Sequence, residues 1–167
     1  MIIVCPLNRA EGLAAHHRAS HAISLLAPAT PYPSFRGIGA ERHLKLSFHD
    51  IVQPVDGMSP PRSADAQRLV GFIADWPRQR PLLIHCWAGI SRSTATAFTA
   101  LCMMRPQQSE DELAQELRDA APAATPNRLI VSLTDQLLGR KGRMVEAIDK
   151  IGRGADAYEG TPFVLRI

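Results

Sequence analysis

A short apolar run followed at once by a charge-free helix constrains this chain more than any other feature. Pro81-Leu82-Leu83-Ile84-His85-Cys86 is too short for a buried helix and does not alternate. It is therefore expected to be a buried parallel strand. A helix is expected from Ser91 to Arg105, stopped by Pro106. Between Ser93 and Met104 it carries no charge, and Ala95, Ala97 and Ala100 are small. Such a helix is a central one, buried on most sides. A strand buried on both faces and a helix buried all round together require a sheet covered by helices.

The rest of the chain supplies those neighbours. Ile2-Ile3-Val4, ending at Pro6, and Ala22-Ile23-Ser24-Leu25-Leu26, ending at Pro28, read as strands. His43 to Phe48 alternates, with Leu44, Leu46 and Phe48 on one face, and reads as another. Helices are expected over Arg9 to Arg18 and Ser63 to Trp76, the second with Ala66, Leu69, Val70 and Ile73 at helical spacing. Thr30 to Gly39 and Gln53 to Pro61 are rich in Pro and Gly and read as loops. Ser109-Glu110-Asp111-Glu112 is a capping box that opens a helix carrying Leu113 and Leu117. Thr125-Pro126 opens another, with Leu129, Leu133 and Leu137 in a stripe and Gly139 as its stop. A last helix is expected over Gly142 to Ile151, then a loop with a docked apolar tail at Phe163-Val164-Leu165. Strands alternate with helices first and helices dominate later. The expected fold is a single α/β domain over residues 1–167, with a central, mainly parallel sheet and a C-terminal helical layer.

The loop between the buried strand and the buried helix, Trp87-Ala88-Gly89-Ile90-Ser91, is where chemistry is expected. It gathers backbone N–H groups and the positive end of a helix into one bowl, which suits a tetrahedral oxyanion. Gly89 lets the backbone turn where a Cβ would clash. Cys86 and Arg92 stand at the two ends of the loop. A helix N-terminus and a nearby cation favour the anionic form of a thiol, so Cys86 is expected to be a nucleophilic thiolate. Arg92 offers a planar fork to two phosphoryl oxygens. Ser93 can hydrogen-bond the sulfur, and His85 is expected to orient the loop rather than touch substrate.

This stretch, His85-Cys86-x5-Arg92-Ser93, resembles the signature of the cysteine-based protein tyrosine phosphatases. The Ala-Gly-Ile-Ser-Arg-Ser wording is most similar to the dual-specificity branch. Pro126-Asn127-Arg128-Leu129 is similar to the Pro-Asn segment of that branch, and the order of strand, acid, helix and signature strand is shared. The resemblance spans about Ala22 to Leu138. It implies a phosphocysteine formed on Cys86, an aspartic acid that protonates the leaving oxygen and then activates water, and no metal or other cofactor. The acid is expected to be Asp50, at the end of its strand; Asp56, in the Pro/Gly loop, is the second choice and Asp65 a poor third. Asn127 would steady the site or the water.

Other residues carry less. Cys5 and Cys102 have no cation in register and read as core, and His16, His17, His21, His43 and His49 as surface or loop. Arg140-Lys141-Gly142-Arg143 reads as a solvated helix junction. A net charge of +3 with interspersed signs excludes a basic arm for nucleic acid, and no apolar run is long enough to span a membrane. Three cysteines and an opening without a basic leader fit a reduced, cytoplasmic protein. The expected partner is a phosphorylated protein, phosphotyrosine above all, or a small phosphomonoester. The loop interior has no cation besides Arg92, which favours a substrate with one phosphate. Two competing readings are a phosphate-binding module without turnover and a rhodanese-type sulfurtransferase.

Overall fold

The computed structural model describes residues 1–167. Five strands form one sheet: β1 (Ile2–Pro6), β2 (His21–Leu26), β3 (His43–Ser47), β4 (Leu82–Cys86) and β5 (Phe163–Leu165). Their order is β3-β2-β4-β1-β5, with the first four parallel and β5 antiparallel to β1. β1 and β4 are buried along their whole length, as a continuous apolar run in a parallel sheet requires. β3 is an edge strand, so it alternates: Leu44 and Leu46 point inward, Lys45 and Ser47 outward.

Helix α1 (Leu7–His16) covers one face, over a small cluster that includes Ile3, Cys5, Ala10, Ala14 and Leu83. The other face carries α2 (Ser63–Asp75), α3 (Arg92–Met104), α4 (Glu110–Ala120), α5 (Arg128–Leu137) and α6 (Arg143–Ile151). α3 lies against β1 and β4 and is enclosed by α2, α4 and α5. Every residue from Arg92 to Cys102 is buried, so α3 is central in the manner its missing charges require. Cys5 belongs to the α1 side of the sheet and Cys86 to the α3 side. Burial, reinforced by the nearby Cys86, pushes the Cys5 thiol up to about 12, and burial does the same to Cys102.

Several sequence-based expectations need correction. The inner stripe of α5 is Ile130, Val131 and Thr134; Leu129 and Leu133 are half-buried and Leu137 is exposed. A strict four-residue spacing advances about 40° per step on a helix, so that stripe walks off the buried face. Thr134 is accommodated inside because its hydroxyl meets that of Thr99 at 2.9 Å. Asn127, not Thr125-Pro126, caps α5: its Oδ1 accepts the N–H groups of Leu129 and Ile130, both at 3.1 Å. The apolar tail is more than docked, since β5 extends the sheet beside β1. Arg140 and Arg143 are not merely solvated either. They close on the buried Glu110 carboxylate at 2.9 and 3.1 Å. No helix is long and apolar enough to cross a membrane.

Candidate active site

The bowl is built by holding carbonyls outward. The Trp87 carbonyl accepts the N–H of Leu7 at 3.1 Å, so the first residue of α1 serves the loop. The Ala88 carbonyl accepts Gly160 N–H at 2.8 Å, and the Ile90 carbonyl accepts Thr125 N–H at 2.9 Å. The Ser91 carbonyl accepts the N–H of Ala95 and the hydroxyl of Thr94, each at 2.9 Å. All peptides are trans, so each fixed carbonyl sends the following N–H to the opposite side, into the bowl. Gly89 has φ +72°, and a Cβ there would lie 2.7 Å from the Pro6 nitrogen. Only glycine lets the loop approach the end of β1 so closely.

At the floor, Cys86 Sγ accepts the Gly89 N–H at 3.2 Å and lies 3.1 Å from Ser93 Oγ. Arg92 is buried and ties the loop to the end of β3, its Nη1 donating to the Phe48 carbonyl at 3.0 Å. Its Nε is buried without a hydrogen-bond partner. A buried guanidinium donor left open is costly unless an acceptor is to come.

Asp50 follows β3 and reaches the same place. Its Oδ1 accepts Ser91 Oγ at 2.7 Å and Asn127 Nδ2 at 2.8 Å, and its Oδ2 stands 3.7 Å from Arg92 Nε. Asn127 thus has two jobs, one amide end capping α5 and the other holding Asp50. Asp56 lies on the exposed part of the following loop, away from these contacts. Asp65 is used in the N-terminal cap of α2, where its Oδ2 accepts Arg62 N–H at 3.0 Å. Cys86, Arg92, Ser93, Asp50 and Asn127 are therefore brought together, and Asp56 and Asp65 are not.

His85 is fully buried on β4, its Nε2 2.6 Å from Ser24 Oγ. The same hydroxyl lies 2.8 Å from His43 Nε2, which, with His43 in β3, corrects the reading of His43 as surface or loop. Burial is the main cause that lowers both rings to about 4, so both are neutral at pH 7. His49 is also structural. Its N–H donates to the Ser59 carbonyl at 2.7 Å and its Nδ1 accepts Ser59 N–H at 2.9 Å, clasping the loop between them. Trp87 is 58% exposed and stands at the rim.

Beside the mouth lies a cleft of about 560 Å³. Ile51, Val52, Val55 and Pro126 supply its apolar wall, and Arg128 its one cation. Arg128 is engaged with Asp149 at 3.0 Å. No group of three or more His, Cys, Asp or Glu side chains comes together to hold a metal ion. Sequence reasoning missed the Phe48 carbonyl as the anchor of Arg92, and Gly160 as the donor to Ala88. Main-chain partners leave no mark in residue identity, although the turn-forming Glu159-Gly160-Thr161-Pro162 hints that the tail bends there.

No family model matches the chain, and no curated protein sequence matches it. Solved structures do. DUSP15 is 17% identical with a TM-score of 0.61, over 89% of this chain and 90% of that one. Human DUSP28 is 19% identical with a TM-score of 0.61, over 84% and 94%. PTPMT1, in a complex with PI(5)P, is 16% identical with a TM-score of 0.59, also over 84% and 94%. The chain has the fold of the dual-specificity cysteine phosphatases.

Proposed function

We propose that this protein is a cysteine-dependent phosphomonoester hydrolase. One observation carries the reading: a buried sulfur and a buried arginine whose Nε has no hydrogen-bond partner terminate a loop whose carbonyls are all but one pinned away from it. The bowl is the complement of a phosphoryl group, and the sulfur is its nucleophile.

The reaction takes two steps. Cys86 thiolate attacks phosphorus while the bond to the ester oxygen breaks, and Asp50, protonated, gives its proton to that oxygen. A phosphocysteine remains. Asp50, now a carboxylate, takes a proton from water as the water oxygen bonds to phosphorus, the P–S bond breaks, and phosphate leaves with the thiolate restored. The inward N–H groups and Arg92 stabilise charge on the equatorial oxygens in both steps. Ser93 supports the departing thiolate.

The substrate class follows from the cleft. PTPMT1 was solved with a phosphoinositide. Here the cleft has one cation, and it is held in an ion pair with Asp149, so nothing in the cleft is built specifically for a second phosphate. The apolar wall favours an aryl leaving group, phosphotyrosine in a protein or a small aryl phosphate. Three free cysteines suit work in a reducing cytoplasm.

The purified protein is expected to hydrolyse p-nitrophenyl phosphate with no metal added, and Cys86→Ser to abolish it. Turnover retained in that variant refutes the mechanism. Phosphopeptide binding without turnover in the unaltered protein leaves a binding module instead, and transfer of sulfur from thiosulfate to cyanide leaves a sulfurtransferase.

A further inference from the structure

The phosphate loop has a support that neither its own strand nor its own helix provides. Beyond α6 the chain turns back along the outside of the loop before it enters β5. It is fixed as it goes: Gly152 O accepts Arg118 Nη2 at 2.8 Å, Gly154 N–H donates to Thr125 Oγ1 at 3.1 Å, and Ala155 N–H donates to the Pro122 carbonyl at 2.9 Å. Asn8 Nδ2 then holds Glu159 at 2.9 Å. Between that tie and β5, Gly160 N–H meets the Ala88 carbonyl at 2.8 Å.

The peptide joining Ala88 to Gly89 is one rigid plane. Its oxygen end is held by Gly160, and its N–H end points at Cys86 Sγ. Rotation of this plane would put a carbonyl oxygen where an anion must sit. Gly89, lacking a Cβ, offers little resistance to such a rotation. The restraint must come from outside, and Gly160 is placed to give it. The strap approaches so closely that a Cβ on residue 160 would lie 3.0 Å from the Gly89 oxygen and 3.3 Å from Ile90 Cγ1.

We propose that residues 152–162 form a strap that sets the phosphate loop, and that Gly160 is a positioning residue which keeps the Ala88–Gly89 peptide in its anion-binding orientation. This rests on the phosphatase reading. It predicts that the tail takes part in oxyanion binding although it touches no substrate.

The test uses the full-length protein, p-nitrophenyl phosphate and tungstate. Gly160→Ala keeps the N–H but sets a Cβ 3.0 Å from the Gly89 oxygen, so the strap and the loop must shift apart by a few tenths of an ångström, and Gly160→Pro removes the N–H. Loss of an oxyanion-stabilising donor costs on the order of 10²–10³ in kcat, so about 10-fold or more is expected for partial misorientation. Tungstate affinity should fall in parallel, while the thermal midpoint stays near that of the unaltered protein. Asn8→Ala, which frees Glu159 alone, should change both by less than about 3-fold, the scale of one exposed hydrogen bond. In the unaltered protein, tungstate should slow exchange of the Gly160 amide, a measurement that does not depend on either variant folding. Folded Gly160 variants with unchanged kcat and tungstate affinity, or a Gly160 amide indifferent to tungstate, overturn the proposal alone. An unaltered protein that neither turns over substrate nor binds tungstate refutes the phosphatase reading, and this one with it.

Discussion

Two loops meet at the mouth of this site, and they are built in opposite ways. The phosphate loop is held from four directions, by α1, by the segment ahead of α5, by the C-terminal strap and by its own helix. The loop after β3 is exposed from Val52 to Met58 and has one internal backbone bond, Met58 N–H to the Val55 carbonyl at 3.0 Å. Its other ties lie near its base: the His49–Ser59 clasp, and Asn127 Nδ2, which donates to the Ile51 carbonyl at 3.4 Å. Under the proposed reaction, the difference follows from what each loop does. Charge stabilisation needs many dipoles fixed together before the reaction begins, because reorganising them costs energy. Proton transfer needs one group in one place. The second loop can therefore be slack, provided Asp50 is tied down, and the ties come from Ser91 and Asn127 on the other side of the mouth.

The largest effect should follow from breaking the link between the loops. Arg92→Lys keeps the charge but loses both the fork and its hold on Phe48 O. We expect kcat/KM on p-nitrophenyl phosphate to fall by roughly 10³, as for loss of a main transition-state donor. A fall of less than 10-fold would mean that the N–H groups alone stabilise the charge. Next is Asp50→Asn, which should lower kcat on phosphotyrosine by about 10²–10³, within the range for a lost general acid. The loss should be smaller on p-nitrophenyl phosphate, whose leaving group needs a proton less, and tungstate should bind as before. Asp56→Asn should match the unaltered protein within about 2-fold, as surface changes do. The reverse pattern would transfer the acid to the slack part of the loop.

How much of this was legible in the sequence differs along the same divide. β4, α3 and the loop between them could be read because burial, missing charge and a required glycine all act on residue type. The capping box at Ser109 and the stop at Gly139 could be read for the same reason. The α5 stripe could not, because Leu is apolar on either side of a helix and Thr134 is admitted by a partner 35 residues away. Nor could the strap, which works through a main-chain N–H that any residue but proline owns. Asp50 lay between: its place at a strand end was visible, while its two ties are long-range contacts.

The sheet beneath the phosphate loop should show its own weakness with pH. Burial lowers His85 from an ordinary value of 6.5 to about 4, so the folded state keeps it neutral while the unfolded chain takes up a proton. Stability from this source is complete above pH 6.5 and is lost as pH falls toward 4. The shift corresponds to on the order of 3 kcal/mol. His43 moves the same way, with a smaller contribution because it is half-exposed. Denaturant midpoints at pH 7, 5.5 and 4 should fall more steeply for the unaltered protein than for His85→Gln. Parallel slopes would remove His85 from the account. Asn127→Ala should cost less, about 1 kcal/mol for the lost cap. It should also lower kcat by about 10-fold through the freed Asp50, with Gly in place of Ala recovering stability but not rate.

A small effect on rate is the most direct measure of how slack the loop that carries Asp50 can be. His49→Ala removes the acceptor for Ser59 N–H and leaves the backbone half of the clasp intact. One hydrogen bond of this kind is worth about 0.5–1.5 kcal/mol, and part of that should appear as a drop in kcat of about 3-fold on phosphotyrosine. Tungstate affinity should not move, because no phosphate-loop carbonyl depends on His49. His49→Asn offers a carbonyl oxygen near the lost Nδ1 and should restore the rate. If His49→Ala leaves kcat untouched, Ser91 and Asn127 hold Asp50 unaided and the loop beyond it is a spacer. If it weakens tungstate binding as well, the two loops are coupled more tightly than the contacts of Ser91 with Asp50 and of Arg92 with Phe48 and Asp50 can explain.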